Sequence, residues 1–261
     1  MKHVFGENIK IGKDLAIAIG KFDGLHKGHM ALISKLKEVA KKQRIVSAVL
    51  SFSPHPAAVL GGADIPLILS PQEKLHLLSK LSLDYFIEYP FTREFAQISP
   101  DDFLKNIAVE QLKGKALVVG ENFRFGHDGA GDVALAKRLS ASLGLQVHTM
   151  PLVSQGTAEI SANSIRCAIA NKDFHAVKNM CGRDFFFIGE IAYIPQKNKL
   201  LPPYGEYITR TYVDDMPYES ITTVGPDVVE THLLNYNSDL YGCALRVEFL
   251  DSYSSSSSKS W

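Results

Sequence analysis

Short, almost wholly apolar runs alternate with stretches whose apolar residues recur every three or four positions, from about residue 15 to residue 153. "LAIAIG" (15–20), "IVSAVLSF" (45–52), "DYFIEYPF" (84–91), "KALVVG" (115–120) and "LQVHTMPLV" (145–153) read as strands, and their continuity is that of strands covered on both faces. Between them lie helical patterns. "HMALISKLKEVAKKQ" (29–43) puts Leu32, Ile33, Leu36, Val39 and Ala40 on one face. "SPQEKLHLLSKL" (70–81) opens with a capping box, Ser70 at the cap, Pro71 in the first turn and Glu73 three residues on. "SPDDFLKNIAVEQL" (99–112) repeats the Ser-Pro start, and "DVALAKRLSASLG" (132–144) closes on Gly144. Strand and helix in strict alternation predict an α/β fold built on a parallel sheet.

Two short helices follow, "SANSIRCAIANK" (161–172) and "DFHAVKNMCG" (173–182). Past Arg183 the period shortens to two. "FFFIGEIAYI", "GEYITRTYV", "YESITTV", "VVETHLL" and "CALRVEFLDSY" are β-rich runs separated by Pro and Gly, which predicts a second, small antiparallel β domain. The tail "SSSSSKSW" is low in complexity and expected to be disordered. The expected division is 1–183, 184–253 and 254–261.

Charge and cysteine content narrow the function. Lys plus Arg (28) equals Asp plus Glu (28) and the pI is about 7.1, so no basic surface marks a nucleic-acid or membrane binder. One small anionic ligand held by a few local groups remains open. The three cysteines, Cys167, Cys181 and Cys243, are widely spaced and form no C-x-x-C. That argues against a disulfide framework or a cysteine zinc site and fits a reducing compartment. The first residues, "MKHVFGENIKIGKD", have no apolar core of a signal peptide, and no apolar run has the length of a membrane span. A cytoplasmic protein with small-molecule partners is expected.

Four loops carry the candidate chemistry. "GKFDGLHKGH" (20–29) joins the first strand to the first helix. In an open parallel sheet, ligands bind beyond the carboxyl ends of the strands. There Gly24 and Gly28 would let backbone approach a phosphate, the helix start offers N–H groups, and His26 and His29 at i, i+3 could hold a polyphosphate and stabilise charge during transfer. No third ligand lies near enough in sequence for zinc, and no P-loop or G-x-G-x-x-G is present. "SFSPHP" (51–56) stiffens the end of the second strand and presents His55. "VVGENFRFGHDGAGD" (118–132) places Asn122, Arg124 and four glycines after a buried strand. Its Phe123 and Phe125 could line a pocket for a flat ring or could be plain core. "ISANSIR" (160–166) opens a helix with serines and Asn163, and adds Arg166, which capping alone does not explain.

Together these stretches resemble the bacterial bifunctional riboflavin kinase/FAD synthetase family, whose loops read G-x-F-D-G-x-H-x-G-H, [TS]-F-x-P-H-P, V-G-x-[DN]-F-x-F-G and I-S-S-T-x-I-R. The resemblance runs from residue 14 to about 190. It implies a Rossmann-like nucleotidyltransferase sheet followed by a riboflavin-kinase-like β barrel, and transfer of AMP from ATP to FMN to give FAD and pyrophosphate. It implies Mg²⁺ travelling with ATP, and no protein metal ligand. His26, His29, Ser164 and Arg166 are then the expected catalytic residues. Gly20, Phe22, Asp23, Gly24, Gly28, Ser161 and Asn163 are expected at ATP and its phosphates, with Asp23 near the reacting groups. His55, Asn122, Phe123, Arg124 and Phe125 are expected on the flavin side.

Two departures accompany the resemblance. The family's I-S-S-T is "ISAN" here, with Ala162 and Asn163 replacing two hydroxyls; an amide still donates a hydrogen bond. In the β half, the family's G-R-x-[LI]-G-F-P-T-A-N segment, which holds ATP and Mg²⁺ for the kinase reaction, is missing. "GEIAYIPQKNKLLPPYGEY" (189–207) runs almost straight through instead. "VVETHLLNYNSDLYG" survives, with Glu230 where the family has its kinase base. The expectation is an FAD synthetase with a lost kinase activity; the alternative is a non-catalytic flavin- or nucleotide-binding paralogue.

Overall fold

A computed structural model describes residues 1–61, 65–155, 158–190, 198–226, 228–236, 240 and 243–253. The serine-rich tail, and residues 191–197 within the stretch where the kinase segment is missing, lie outside these residues. By their internal contacts the described residues fall into two compact units. One comprises residues 1–65 with 74–159; the other comprises 66–73 with the chain from 160 onward.

The first unit is built on a six-stranded parallel sheet. In chain order it comprises β1 (Lys2–Phe5), β2 (Leu15–Ile19), α1 (Lys27–Gln43), β3 (Val46–Ser53), α2 (Pro56–Leu60), part of α3 (Pro71–Ser79), β4 (Tyr85–Pro90), α4 (Pro100–Asp102, continuing as a π-helical Phe103–Gln111), β5 (Gly114–Gly120), α5 (Val133–Leu143) and β6 (Gln146–Met150). Strand order is β1-β4-β3-β2-β5-β6. All five residues of β2 are buried, as a strand covered on both faces requires. The buried face of α1 consists of Leu32, Ile33, Leu36, Val39 and Ala40, the five positions its periodicity marks. Edge strand β1 has no sequence signature, because only Val4 of its four residues is even half-buried. Its position comes from pairing with β4, His3 against Phe86 and Val4 against Ile87.

The second unit holds α6 (Ala162–Ala170), α7 (Phe174–Cys181) and a five-stranded antiparallel sheet. The sheet contains β9 (Phe185–Glu190), β10 (Gly205–Val213), β11 (Met216–Val224), β12 (Val229–Leu233) and β13 (Ala244–Ser252), in the order β12-β11-β10-β13-β9. A two-residue pair, β7 (Ser154–Gln155) and β8 (Ala158–Glu159), precedes α6. By packing, α6 and α7 group with the antiparallel sheet. The reason is Phe174 on α7, which stacks on Phe249 (5.7 Å between ring centres) and meets Tyr207 edge-on at 5.7 Å. Sequence periodicity reports the secondary structure of α7 but not which sheet receives its apolar face.

Residues 66–73 join this unit through Lys199. Leu67 bridges Lys199 in parallel. The Ser70–Glu73 capping box forms as expected, Ser70 N–H to Glu73 Oε2 at 2.8 Å and Glu73 N–H to Ser70 Oγ at 3.2 Å. Glu73 also accepts from the Ile188 N–H (2.9 Å) and from Lys199 Nζ (2.7 Å), with both charged side chains only 1% exposed. Lys199 donates as well to the carbonyls of Ile68 (2.6 Å) and Phe186 (3.0 Å).

Candidate active site

The strand order of the first unit fixes where a ligand can bind. From β2 the chain moves outward through β3 and β4 on one side, then returns to β5 and β6 on the other. The reversal lies between β2 and β5, and the crevice beyond their carboxyl ends is the usual ligand site of such a sheet. The loops leaving those ends are the histidine loop, 20–26, and the Asn122 loop, 121–132. The loop leaving β3, next to β2, carries His55.

The histidine loop is a tight turn with Phe22, Gly24 and Leu25 at φ of 51°, 81° and 40°. The left-handed region costs a non-glycine residue about 1 kcal/mol or more, so Phe22 and Leu25 must be held there. Both are fully buried. The Phe22 ring lies so close over Gly20 that a Cβ there would meet it at 3.2 Å. The Gly20 N–H bonds to the Leu50 carbonyl at 3.1 Å, and the Lys21 carbonyl accepts from Ser51 Oγ at 3.1 Å. Asp23 is buried within the turn.

This turn delivers His26 to the N-cap of α1 in an extended conformation, so that His26 and His29 stand within one helical turn. Their rings stack with centres 3.8 Å apart, and Phe22 backs the His29 ring at 5.1 Å. Gly28 between them leaves room for the ring: a Cβ would sit 3.1 Å from His26 Cε1 and Nδ1, tight enough to push it aside. The first turn of α1 contains no acidic residue, which leaves its partial positive charge available to an anion. Two stacked imidazoles, the start of a helix and a glycine in between are thus brought together by residues contiguous in sequence.

His55 caps α2, its Nδ1 accepting from the Ala57 N–H at 3.2 Å. In the Asn122 loop the sequence-predicted residues separate by burial. Asn122 and Arg124 are exposed, and Arg124 faces Asp132 at 3.6 Å. Phe125 is core: it is 6% exposed and packs on Phe103 (5.8 Å). Phe123, half-buried, stacks on Phe125 at 5.2 Å and is the ring of the two with a face left for a flat ligand. Phe125 therefore shapes the loop more than it lines it. Phe125 and Gly131 exchange backbone hydrogen bonds of 3.1 and 2.9 Å, and a Cβ on Gly131 would lie 2.8 Å from the Phe125 ring. Gly131→Ala is expected to displace that ring and cost about 1–3 kcal/mol, as an overpacked site does; a flavin seated on this loop would lose affinity with it. Urea unfolding beside an FMN titration checks both effects.

In the second unit, α6 starts at Ser161, whose Oγ accepts from the Ser164 N–H at 3.1 Å and lies 2.7 Å from Ser164 Oγ. Arg166 Nε bonds to the Pro66 carbonyl at 3.2 Å, and its Nη1 to Asn163 Oδ1 at 3.5 Å. Asn163, the residue in place of a family hydroxyl, thus meets the arginine through its carbonyl.

One residue near the histidine loop carries no motif. Lys74, on α3, donates to the Lys21 carbonyl at 3.1 Å. From sequence it reads as one more lysine on an amphipathic helix; only its half-buried setting sets it apart. Among the described residues no group of three or more His, Cys, Asp or Glu is placed to hold a metal. Nor is any helix among them long and apolar enough to cross a membrane.

Residues 8–164 match the family model for FAD synthetase, and residues 190–257 the one for riboflavin kinase. The bifunctional riboflavin kinase/FMN adenylyltransferase of Escherichia coli (strain K12) is 28% identical over 255 residues, spanning 88% of this chain and 82% of that protein. The protein of the same description from Haemophilus influenzae is 26% identical over 258 residues, spanning 90% and 84%. A crystal structure described as a macrolide-efflux protein from Streptococcus pneumoniae has the same fold, with a TM-score of 0.86 at 22% identity over 97% of this chain and 91% of that one.

Proposed function

This chain belongs to the FAD synthetase family, and from that premise we propose that it transfers the adenylyl group of ATP to FMN, releasing FAD and pyrophosphate, and that it does not phosphorylate riboflavin. A phosphate oxygen of FMN attacks the α-phosphorus of ATP in line, and the bond to the pyrophosphate oxygen breaks. The nucleophile belongs to the substrate, so the protein's task is positioning and charge stabilisation.

The observation that carries the reading is the stacked His26–His29 pair at the start of α1, beside the β2/β5 reversal. In this reading the two imidazoles and the α1 N–H groups hold the ATP phosphates, and Gly24 and Gly28 allow close approach. Ser161, Asn163, Ser164 and Arg166 hold the β- and γ-phosphates as they leave. Asn122 and Phe123 contact the flavin, with Phe125 behind them, and Arg124 and His55 lie on the same side. Mg²⁺, when bound, neutralises phosphate charge. It would be held by the nucleotide phosphates, with Asp23 the carboxylate buried in the histidine loop.

Loss of the kinase reaction rests on the missing Mg²⁺–ATP segment. The second unit keeps the strands, but Glu230 is an exposed carboxylate on β12, with no nucleotide loop in the sequence to serve it. The break at 183/184 between a transferase module and a kinase-like module is retained as a division of function, and the three free cysteines fit work in the cytoplasm. The test is an incubation with ATP, Mg²⁺ and either FMN or riboflavin, followed by separation of the flavins. FAD from FMN with no product from riboflavin is expected. FMN or FAD from riboflavin would sink the kinase part. Nucleotide binding with no product from either flavin would favour the non-catalytic paralogue.

A further inference from the structure

We propose that Lys74 is a positioning residue for adenylyl transfer: from α3, its ammonium anchors the Lys21 carbonyl and so holds the left-handed turn that presents His26. The inference rests on the reading of the histidine loop as the ATP phosphate site. The turn concentrates unfavourable backbone in four residues, two of them, Phe22 and Leu25, non-glycine at positive φ. Such a conformation persists only where neighbours over-determine it. Buried side chains fix its middle. Its entry is held at the Gly20 N–H, which donates to the Leu50 carbonyl, and at the Lys21 carbonyl, which accepts from Ser51 Oγ and Lys74 Nζ, each at 3.1 Å. Ser51 belongs to neighbouring β3, whereas Lys74 arrives from a helix 53 residues further along the chain.

A neutral donor could reach a carbonyl too, so the charge needs its own explanation. Burial makes the ammonium harder to keep protonated, and the carboxylates of Asp23 and Glu88 partly offset that. Asp23 is only 2% exposed and sits inside the turn. The Lys74 ammonium lies close enough to this carboxylate to offset part of its negative field at the loop. Lys74 thereby acts on both the shape of the loop and its charge.

The experiment compares Lys74→Met, Lys74→Gln and Lys74→Arg with the unaltered chain. It measures FAD formation at varied ATP, Mg²⁺–ATP binding by calorimetry without flavin, and the thermal midpoint. Lys74→Met is expected to weaken ATP binding and raise KM for ATP by about tenfold or more, the worth of a charge-assisted hydrogen bond. Lys74→Arg should restore most of the loss, and Lys74→Gln, a donor without charge, less. Binding and KM within twofold of the unaltered chain in Lys74→Met overturns the proposal, as does a loss that follows the thermal midpoint and is not restored by arginine. The binding arm separates this inference from the reaction. If the unaltered chain forms no FAD yet binds ATP, and Lys74→Met weakens that binding, Lys74 stands and the transferase reading falls. If the unaltered chain binds no ATP, both fall.

Discussion

Replacing His29 by alanine lowers the rate of FAD formation by roughly 10²- to 10³-fold, the loss seen when one preorganised group facing transition-state charge is removed. The fold should survive. His29 is half-buried in the first turn of α1, whereas the helix is held by Leu32, Ile33, Leu36, Val39 and Ala40, none of which changes. Alanine is also the best helix former. The loss should fall mainly on kcat, because charge moves onto the leaving pyrophosphate during transfer while ground-state binding keeps His26 and the α1 N–H groups. Removal of the ring also deprives His26 of its stacking partner at 3.8 Å, so His29→Ala and His26→Ala should be non-additive, the double variant losing less than the product of the two. Steady-state rates for the three variants, with thermal midpoints alongside, decide the matter. A His29→Ala enzyme near the unaltered rate would remove the histidine pair from the mechanism.

The largest effect on stability is expected at Lys199. Lys199→Met leaves the Glu73 carboxylate buried without its cation, a change that typically costs 3–5 kcal/mol. The carbonyls of Ile68 and Phe186 lose a donor at the same time. Arg183 is no substitute: burial already disfavours its charge, although the Glu73 carboxylate favours it. Glu73→Gln should cost less than Lys199→Met when made second, since each substitution removes the interaction that makes the other harmful. Urea unfolding, followed by amide exchange in β9 and β10, reads the second unit directly. A shift of less than about 1 kcal/mol for Lys199→Met would mean that water or another group replaces the ammonium.

Much of this was legible in the sequence, and for local reasons. The β2 run, the apolar face of α1, the Ser70 and Ser99 helix starts and the period-two strands after residue 183 follow from neighbours one to four residues apart, the range over which periodicity and capping act. The histidine site is legible for the same reason. Gly20 to His29 are contiguous, and the helix that supplies the N–H groups is the one the loop opens into. Three features were not legible. Strand β1 has too few buried side chains to show a pattern, and its place is set by hydrogen bonds to β4. Phe125 reads equally as a ligand ring or as core in its loop, and only its packing on Phe103 shows how far it is buried. Glu73 and Lys74, adjacent on one helix, read as a cap and a solvent-facing charge. The sequence by itself determined most of the elements, the family and the contiguous run from Gly20 to His29 on which the proposed phosphate site rests. Tertiary structure alone decided that Glu73 meets a lysine 126 residues away and that Lys74 holds the turn before His26. Both depend on which distant group shares a buried space, and no spacing along the chain encodes that.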